Sequence, residues 1–314
     1  MALALMLSFT AAAQSFPDKP IRLVVPYSPG GIADTMARLL GTSLQQSLKQ
    51  PVIVENKPGA NTAIGAMAVA KSPADGYTLL LATGGTIVMN PLLYQKLGYD
   101  PEKDFTSVAQ VSVTPLLISV KADSPIGSIA DLVRLAKAEP GKLSYASQGL
   151  GGTTQMAMEL FQAAANISLN HVPYKGSADS LNAAAGGIVD MSVDAVASAV
   201  PLIKGGKLRG IAVSTKVRSP YLPQVPTLAE TAAPGYSVWV WYGIMAPAGT
   251  PPKTVERLNQ AIVNAVADKS FKDPLEKIGL VMAPPMTPAA FKQFLRDEHA
   301  VWEPLVKAKK IRLE

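Results

Sequence analysis

Ile21-Arg22-Leu23-Val24-Val25-Pro26 runs into Tyr27-Ser28-Pro29-Gly30-Gly31 and then into Ile32 to Leu48. A short β-branched run, a glycine turn and a long helix-like stretch follow one another without a gap. Near mid-chain the order recurs: Leu143 to Ala146, then Ser147-Gln148-Gly149-Leu150-Gly151-Gly152-Thr153-Thr154, then Gln155 to Ala165. Each turn sits between a predicted strand and a helix N-terminus, where unpaired backbone N–H groups and the positive end of the helix dipole converge. Two such anion cradles in one chain predict a ligand held between two lobes.

Working outward, short apolar runs alternate with longer helical patterns, the signature of parallel sheets with helices on both faces. Strands are predicted at 21–26, 52–55, 78–82, 108–113, 116–120, 143–146, 169–173, 191–193, 208–213 and 238–245. Polar residues predict helix starts at Ser128, Ser177 and Thr250. Two extended segments, 111–120 with Pro115 inside it and 236–246, read as crossovers between lobes. After the second, only helical patterns remain. The expected organisation is α/β, two doubly wound lobes joined by two hinge strands: residues 16–115 and 240–314 in an N-terminal, discontinuous lobe, and 116–239 in the second. Ligands of such sheets sit at strand C-terminal ends, in the cleft.

The composition suits this: 314 residues, 48% hydrophobic and 17% charged, is globular rather than disordered. Without cysteine there is no disulfide, thiolate metal site or thiol nucleophile. Residues 2–10 form an uncharged apolar run leading to Ala11-Ala12-Ala13 and Gln14. It reads as the core and cleavage site of a signal peptide whose basic n-region is missing, so residues 1–15 are expected to be a leader remnant and the mature protein periplasmic. The net charge of +6 favours anionic partners. Nucleic acid is not one of them, because no basic cluster is interleaved with aromatics, and the run Lys307–Arg312 reads as a solvated helix end.

Enzyme signatures are missing. There is no Gly-x-Ser-x-Gly elbow, Walker A loop or His-Glu-x-x-His, and Gly149-x-Gly151-x-x-Thr154 lacks the third glycine of a dinucleotide fingerprint. His171, inside an apolar run, and His299, in a C-terminal helix, read as structural. No metal or cofactor site is predicted. Asp34, three residues past Gly31, reads either as a first-turn carboxylate stabilising its helix or as a group facing a ligand. Asp194, at the end of a strand, is expected to face the ligand and accept a hydrogen bond from it. Trp239 and Trp241 share one face of the second crossover and Tyr242 takes the other. The tryptophans read either as hinge core or as a ring wall for an aromatic ligand.

Five ordered segments, 26–34, Val54-Glu55-Asn56-Lys57-Pro58-Gly59-Ala60, 72–79, Gly206-Lys207-Leu208-Arg209 and Leu222-Pro223-Gln224-Val225-Pro226-Thr227, resemble the Bug proteins, the substrate-binding components of tripartite tricarboxylate transporters. The resemblance spans the chain from Phe16 onward. It implies the type II periplasmic-binding-protein fold, a monomer that closes on a small mono- or dicarboxylate, and delivery to membrane transporter subunits. A binding protein that signals to a membrane sensor and an enzyme on the same fold are the alternatives. The resemblance further implies that Tyr27, Ser28, Gly30, Gly31 and Ala33 of the first turn cradle one carboxylate, with Thr83 and Thr86 beside it. Ser147, Gln148, Thr153, Thr154 and Asp194 would read the distal end, with Tyr242 between the lobes. Many members carry histidine where this chain has Gln155.

Overall fold

A strand of 17 residues, Phe105–Lys121, organises the molecule. The computed structural model describes residues 16–309 and residue 312; the signal-peptide reading of residues 1–15 lies outside them. In chain order the elements are β1 (Ile21–Val25), α1 (Ile32–Leu48), β2 (Val52–Asn56), α2 (Ala63–Ala70) and β3 (Thr78–Thr83). A short π-helical segment, Gly85–Met89, runs into α3 (Asn90–Leu93), followed by α4 (Pro101–Asp104) and the long strand β4. The second half holds α5 (Ile129–Ala138), β5 (Ser144–Ser147), α6 (Thr153–Ala165), β6 (Asn170–Pro173), α7 (Ser177–Ala185), β7 (Met191–Ala195), α8 (Val196–Lys204) and β8 (Leu208–Val213). The chain returns through β9 (Trp239–Pro247), α9 (Pro252–Ala267), α10 (Lys269–Lys277), β10 (Val281–Met282) and α11 (Pro288–Lys309).

The strands lie in the order β2-β1-β3-β9-β4-β7-β5-β6, with β8 and β10 also on β4. β1 pairs in parallel with β2 and β3, and β5 in parallel with β6 and β7. The partners of β4 change along its length. Phe105 to Pro115 runs antiparallel to β9, whereas Leu116 to Lys121 pairs with β7 and β8. One strand therefore belongs to both halves of an α/β, two-lobed fold. The two runs predicted on either side of Pro115 are one continuous strand, because proline costs only its own ladder hydrogen bond and sits where the partners switch. The C-terminal stretch is not wholly helical either: β10 is a two-residue strand on Ser112 and Val113, too short to leave a pattern.

The helices cover both faces. α1 buries Met36, Ala37, Leu40, Leu44 and Leu48, a 3.6-residue stripe, against α9 and α10. Each of its methionine and leucine side chains withdrawn from water contributes about 1.5–3 kcal/mol. The opposite face packs α2 and α11 on Leu80, Ala82 and Trp241, and its cluster continues into the second half through Met156 and Phe161. Two of the three predicted caps differ. Ser128 caps α5 by accepting from Asp131 N–H, but Gly176 precedes α7 and Pro251 precedes α9. Ser177 instead donates to Asp194, and Thr250 to the Pro247 carbonyl.

Candidate ligand-binding cleft

The first cradle is built by a carboxylate that looks inward. Asp34 is buried and accepts from Gly30 N–H at 3.0 Å, from Arg38 through two nitrogens at 2.9 and 3.0 Å, and from Asn56 Nδ2 at 3.0 Å. The Arg38 guanidinium is the main reason its pKa falls to about 2. Asn56 also donates to the Tyr27 carbonyl at 3.0 Å, so the turn is braced at both ends. Gly30 has φ +86°, a conformation glycine adopts at little cost. With the turn held, Ser28, Gly30 and Gly31 are exposed, and α1 begins after Gly31 with no side-chain cap. The N–H groups of Ile32 and Ala33 are left for a partner.

Beside it, Tyr27 and Thr83 hydroxyls lie 2.8 Å apart, and Thr83 and Thr86 hydroxyls 3.3 Å apart. Burial raises the Tyr27 phenol. Thr86 is fully buried and also meets the Thr62 hydroxyl at 2.9 Å, while Tyr99 donates to its carbonyl at 2.5 Å. Ala60, Asn61 and Thr62 all have positive φ, a costly run held by reciprocal Asn61–Asn90 hydrogen bonds of 2.8 Å. Thr86 thus supports the loop from beneath.

The second cradle repeats the plan with different residues. α6 starts after Gly152 without a side-chain cap. Thr154 Oγ1 accepts from Gln148 N–H at 3.2 Å, and Gln155 Oε1 accepts from Gly151 N–H at 2.6 Å, so both brace the loop. Thr153 remains partly exposed. Asp194 departs from the expectation that it faces a ligand. It is fully buried and accepts from Gln148 Nε2 at 2.8 Å, Ser177 and Ser180 hydroxyls at 2.9 Å and Ala195 N–H at 2.8 Å. Burial pushes its pKa up and the donors pull it down. Its carboxylate is engaged by four donors, Gln148 among them. Ser147 is likewise buried, bonded to Gly149 and 2.7 Å from His171 Nε2. His171 stacks on Tyr145, and burial pushes its pKa down to about 4.

β9 brings the halves together. Burial raises the Tyr242 hydroxyl, and proximity to Tyr27 in one half and Asp194 in the other raises it further. Trp241 points the opposite way into the core, edge-on to Phe291 and Phe294 of α11, which excludes a face-to-face ring wall there. Its Nε1 has no hydrogen-bond partner. A Cβ placed on Gly84 would stand 3.2 Å from that nitrogen and 3.7 Å from Thr153 Oγ1. The π-helix start in one half therefore abuts the α6 start in the other. Glu298 of α11, raised by burial, lies on the same side; of its two indole neighbours, Trp302 reaches it at 3.4 Å.

The loops 27–34, 83–86, 147–155 and 194–198 contain no lysine or arginine, and their two carboxylates are engaged internally. Charge on a ligand would be met by backbone N–H groups and hydroxyls. Among the described residues no cluster of histidine and acid side chains could hold a metal ion. Sequence reading missed Asn56, Thr62, Asn90, Ser177 and Ser180, whose pairings span long sequence distances. It also left His171 without its contact to Ser147, though parallel β5 and β6 bring the two strands side by side.

A two-lobed α/β fold in which the α6 start of one half meets Gly84 of the other has the architecture of the periplasmic binding proteins. The profile described as "Tripartite tricarboxylate transporter family receptor" matches residues 36–311, and the chain belongs to this family of solute-binding receptors, which are not enzymes. Bordetella pertussis protein BugT is 35% identical over 94% of this chain and 91% of its own length. A Rhodopseudomonas palustris protein solved with adipate shares 36% identity at a TM-score of 0.85, covering 93% of this chain and 97% of that one. MatC from the same organism, solved with malate, shares 31% identity at 0.83, over 93% and 100%. Among the described residues no helix is long and apolar enough to cross a membrane.

Proposed function

We propose that this protein acts in the periplasm as a monomer, capturing a small linear dicarboxylate between its lobes and delivering it to the membrane subunits of a tripartite tricarboxylate-type transporter. The carrying observation is the pair of uncapped helix starts, α1 after Gly31 and α6 after Gly152, contributed by opposite halves. One carboxylate meets Ser28 to Ala33 with Thr83 beside it. The other meets Gln148 and Thr153, and Tyr242 lines the space between. Asp194, Thr86, Ser147 and Thr154 hold these groups in place. The adipate and malate seen in the two relatives support a ligand with a carboxylate at each end. A ligand touching both lobes stabilises the closed form by its differential affinity, and the closed form is what the transporter recognises.

A thermal-shift and calorimetric panel of adipate, malate, benzoate and acetate on protein refolded free of ligand tests this. Saturable stabilisation by a dicarboxylate is expected, about 2.7 kcal/mol at about 100 times the dissociation constant. No response to any carboxylate overturns the reading. Sensing rather than transport would appear as capture of a membrane sensor, and not of transporter subunits, by the liganded protein.

A further inference from the structure

In the N-terminal half, a cavity of about 290 Å³ lies between β4, α9, α10 and β10. Val263, Val266, Ala267 and Met282 give it an apolar wall. Gln110 lines it from β4, only 5% exposed, and its Nε2 has no hydrogen-bond partner. Lys272 lines the same space, its ammonium 3.5 Å from Glu276. A buried amide donor without an acceptor costs about 1–3 kcal/mol, so one that persists calls for a partner. A single water would satisfy it, but the space is roughly ten times a water's share of liquid volume, and apolar walls do not order the rest.

We infer that this cavity is a second small-molecule site, for a short aliphatic monocarboxylate. One carboxylate oxygen accepts from Gln110 Nε2, Lys272 supplies the counter-charge, and the chain lies along Val263, Val266 and Met282. The volume is at the small end of ligand pockets, and apolar walls with one or two convergent polar groups are their usual chemistry. Gln110 also stands where the β4–β9 register shifts, between Gln110 and Ser112, in the strand that continues into the other half.

Methyl NMR of the mature protein titrated with hexanoate, and with hexan-1-ol as the control lacking a carboxylate, tests the site. Saturable shifts are expected at Val263, Val266, Ala267 and Met282, with the alcohol at least about tenfold weaker, the loss of one charge-assisted hydrogen bond. Gln110→Leu, which keeps the volume and removes the donor, should weaken hexanoate by about tenfold. Ala267→Phe, at an exposed position, should block the cavity without disturbing the core. No saturable shift up to roughly 10 mM, enough to fill a millimolar site, overturns the proposal as a cavity holding water only. So do shifts confined to the methyls of Thr86 and Thr153, or unchanged affinity in both variants.

Discussion

Gln148 Nε2 donates to the buried Asp194 carboxylate at 2.8 Å, so the acid acts through the amide it aims. Asp194→Asn replaces one acceptor oxygen by a donor that faces other donors. We expect a stability loss of about 1–3 kcal/mol in urea titrations. Affinity should fall by a similar factor for every dicarboxylate, because the whole loop loses its support. An unchanged urea midpoint with altered ligand preference would instead place the carboxylate against the ligand.

Two groups give separate pH signatures. His171, held near 4 by burial against about 6.5 unfolded, takes up its proton more readily in the unfolded chain. Its stability contribution is complete above pH 6.5 and is lost as pH falls towards 4, by about 2–3 kcal/mol. Asp34, lowered to about 2 chiefly by Arg38, contributes fully above the ordinary aspartate value of 3.8 and loses that contribution as pH falls towards 2. Urea midpoints from pH 8 to 2 should show both steps. His171→Gln should remove the upper step, and Asp34→Asn should shrink the lower one, which other lowered carboxylates such as Glu55 share; an upper step that survives His171→Gln would refute the assignment.

The alternation of apolar runs and helical patterns made the α/β class legible, since strand and helix periods are local properties. The two glycine turns were legible for the same reason: Gly30 and Gly151 need positive φ, and their loops are short. Asp34 was readable as a helix-start carboxylate because its partners Gly30 and Arg38 are four residues away. Asp194 was not, because Gln148 is 46 residues distant and only the parallel pairing of β5 with β7 brings them together. β4 hid its continuity behind Pro115, and Trp241 gave no sign from sequence of which ring edge stays unpaired.

Gly84 tests how closely the halves must approach. Its backbone is right-handed helical, φ −54° and ψ −37°, so alanine fits the conformation and should change stability by less than about 1 kcal/mol. The added methyl would crowd Trp241 Nε1 at 3.2 Å and stand 3.7 Å from Thr153 Oγ1. We expect Gly84→Ala to weaken dicarboxylate binding by about tenfold, 1.4 kcal/mol, and to reduce ligand-induced compaction in small-angle scattering. Unaltered binding and compaction would mean that closure does not press these two elements together.

Ser214 ties together the two crossings between the halves. Its backbone N–H donates to the Leu116 carbonyl at 2.9 Å, and its hydroxyl accepts from Leu116 N–H at 2.8 Å while donating to the Val238 carbonyl at 2.6 Å. Leu116 is the first residue of β4 paired with the second half, and Val238 immediately precedes β9. Ser214→Ala strands a donor and an acceptor in a region where Ser214 is only 4% exposed. The cost should be about 2–4 kcal/mol if both groups stay dry, and nearer 1 kcal/mol if water enters. Ser214→Thr should preserve much of the stability by keeping the hydroxyl. Hydrogen exchange at Leu116 N–H separates a local role from a general one: its protection should collapse in the alanine variant while β1 and β3 amides remain protected. Uniform loss across all strands would show that the serine supports the fold as a whole and not the two crossings.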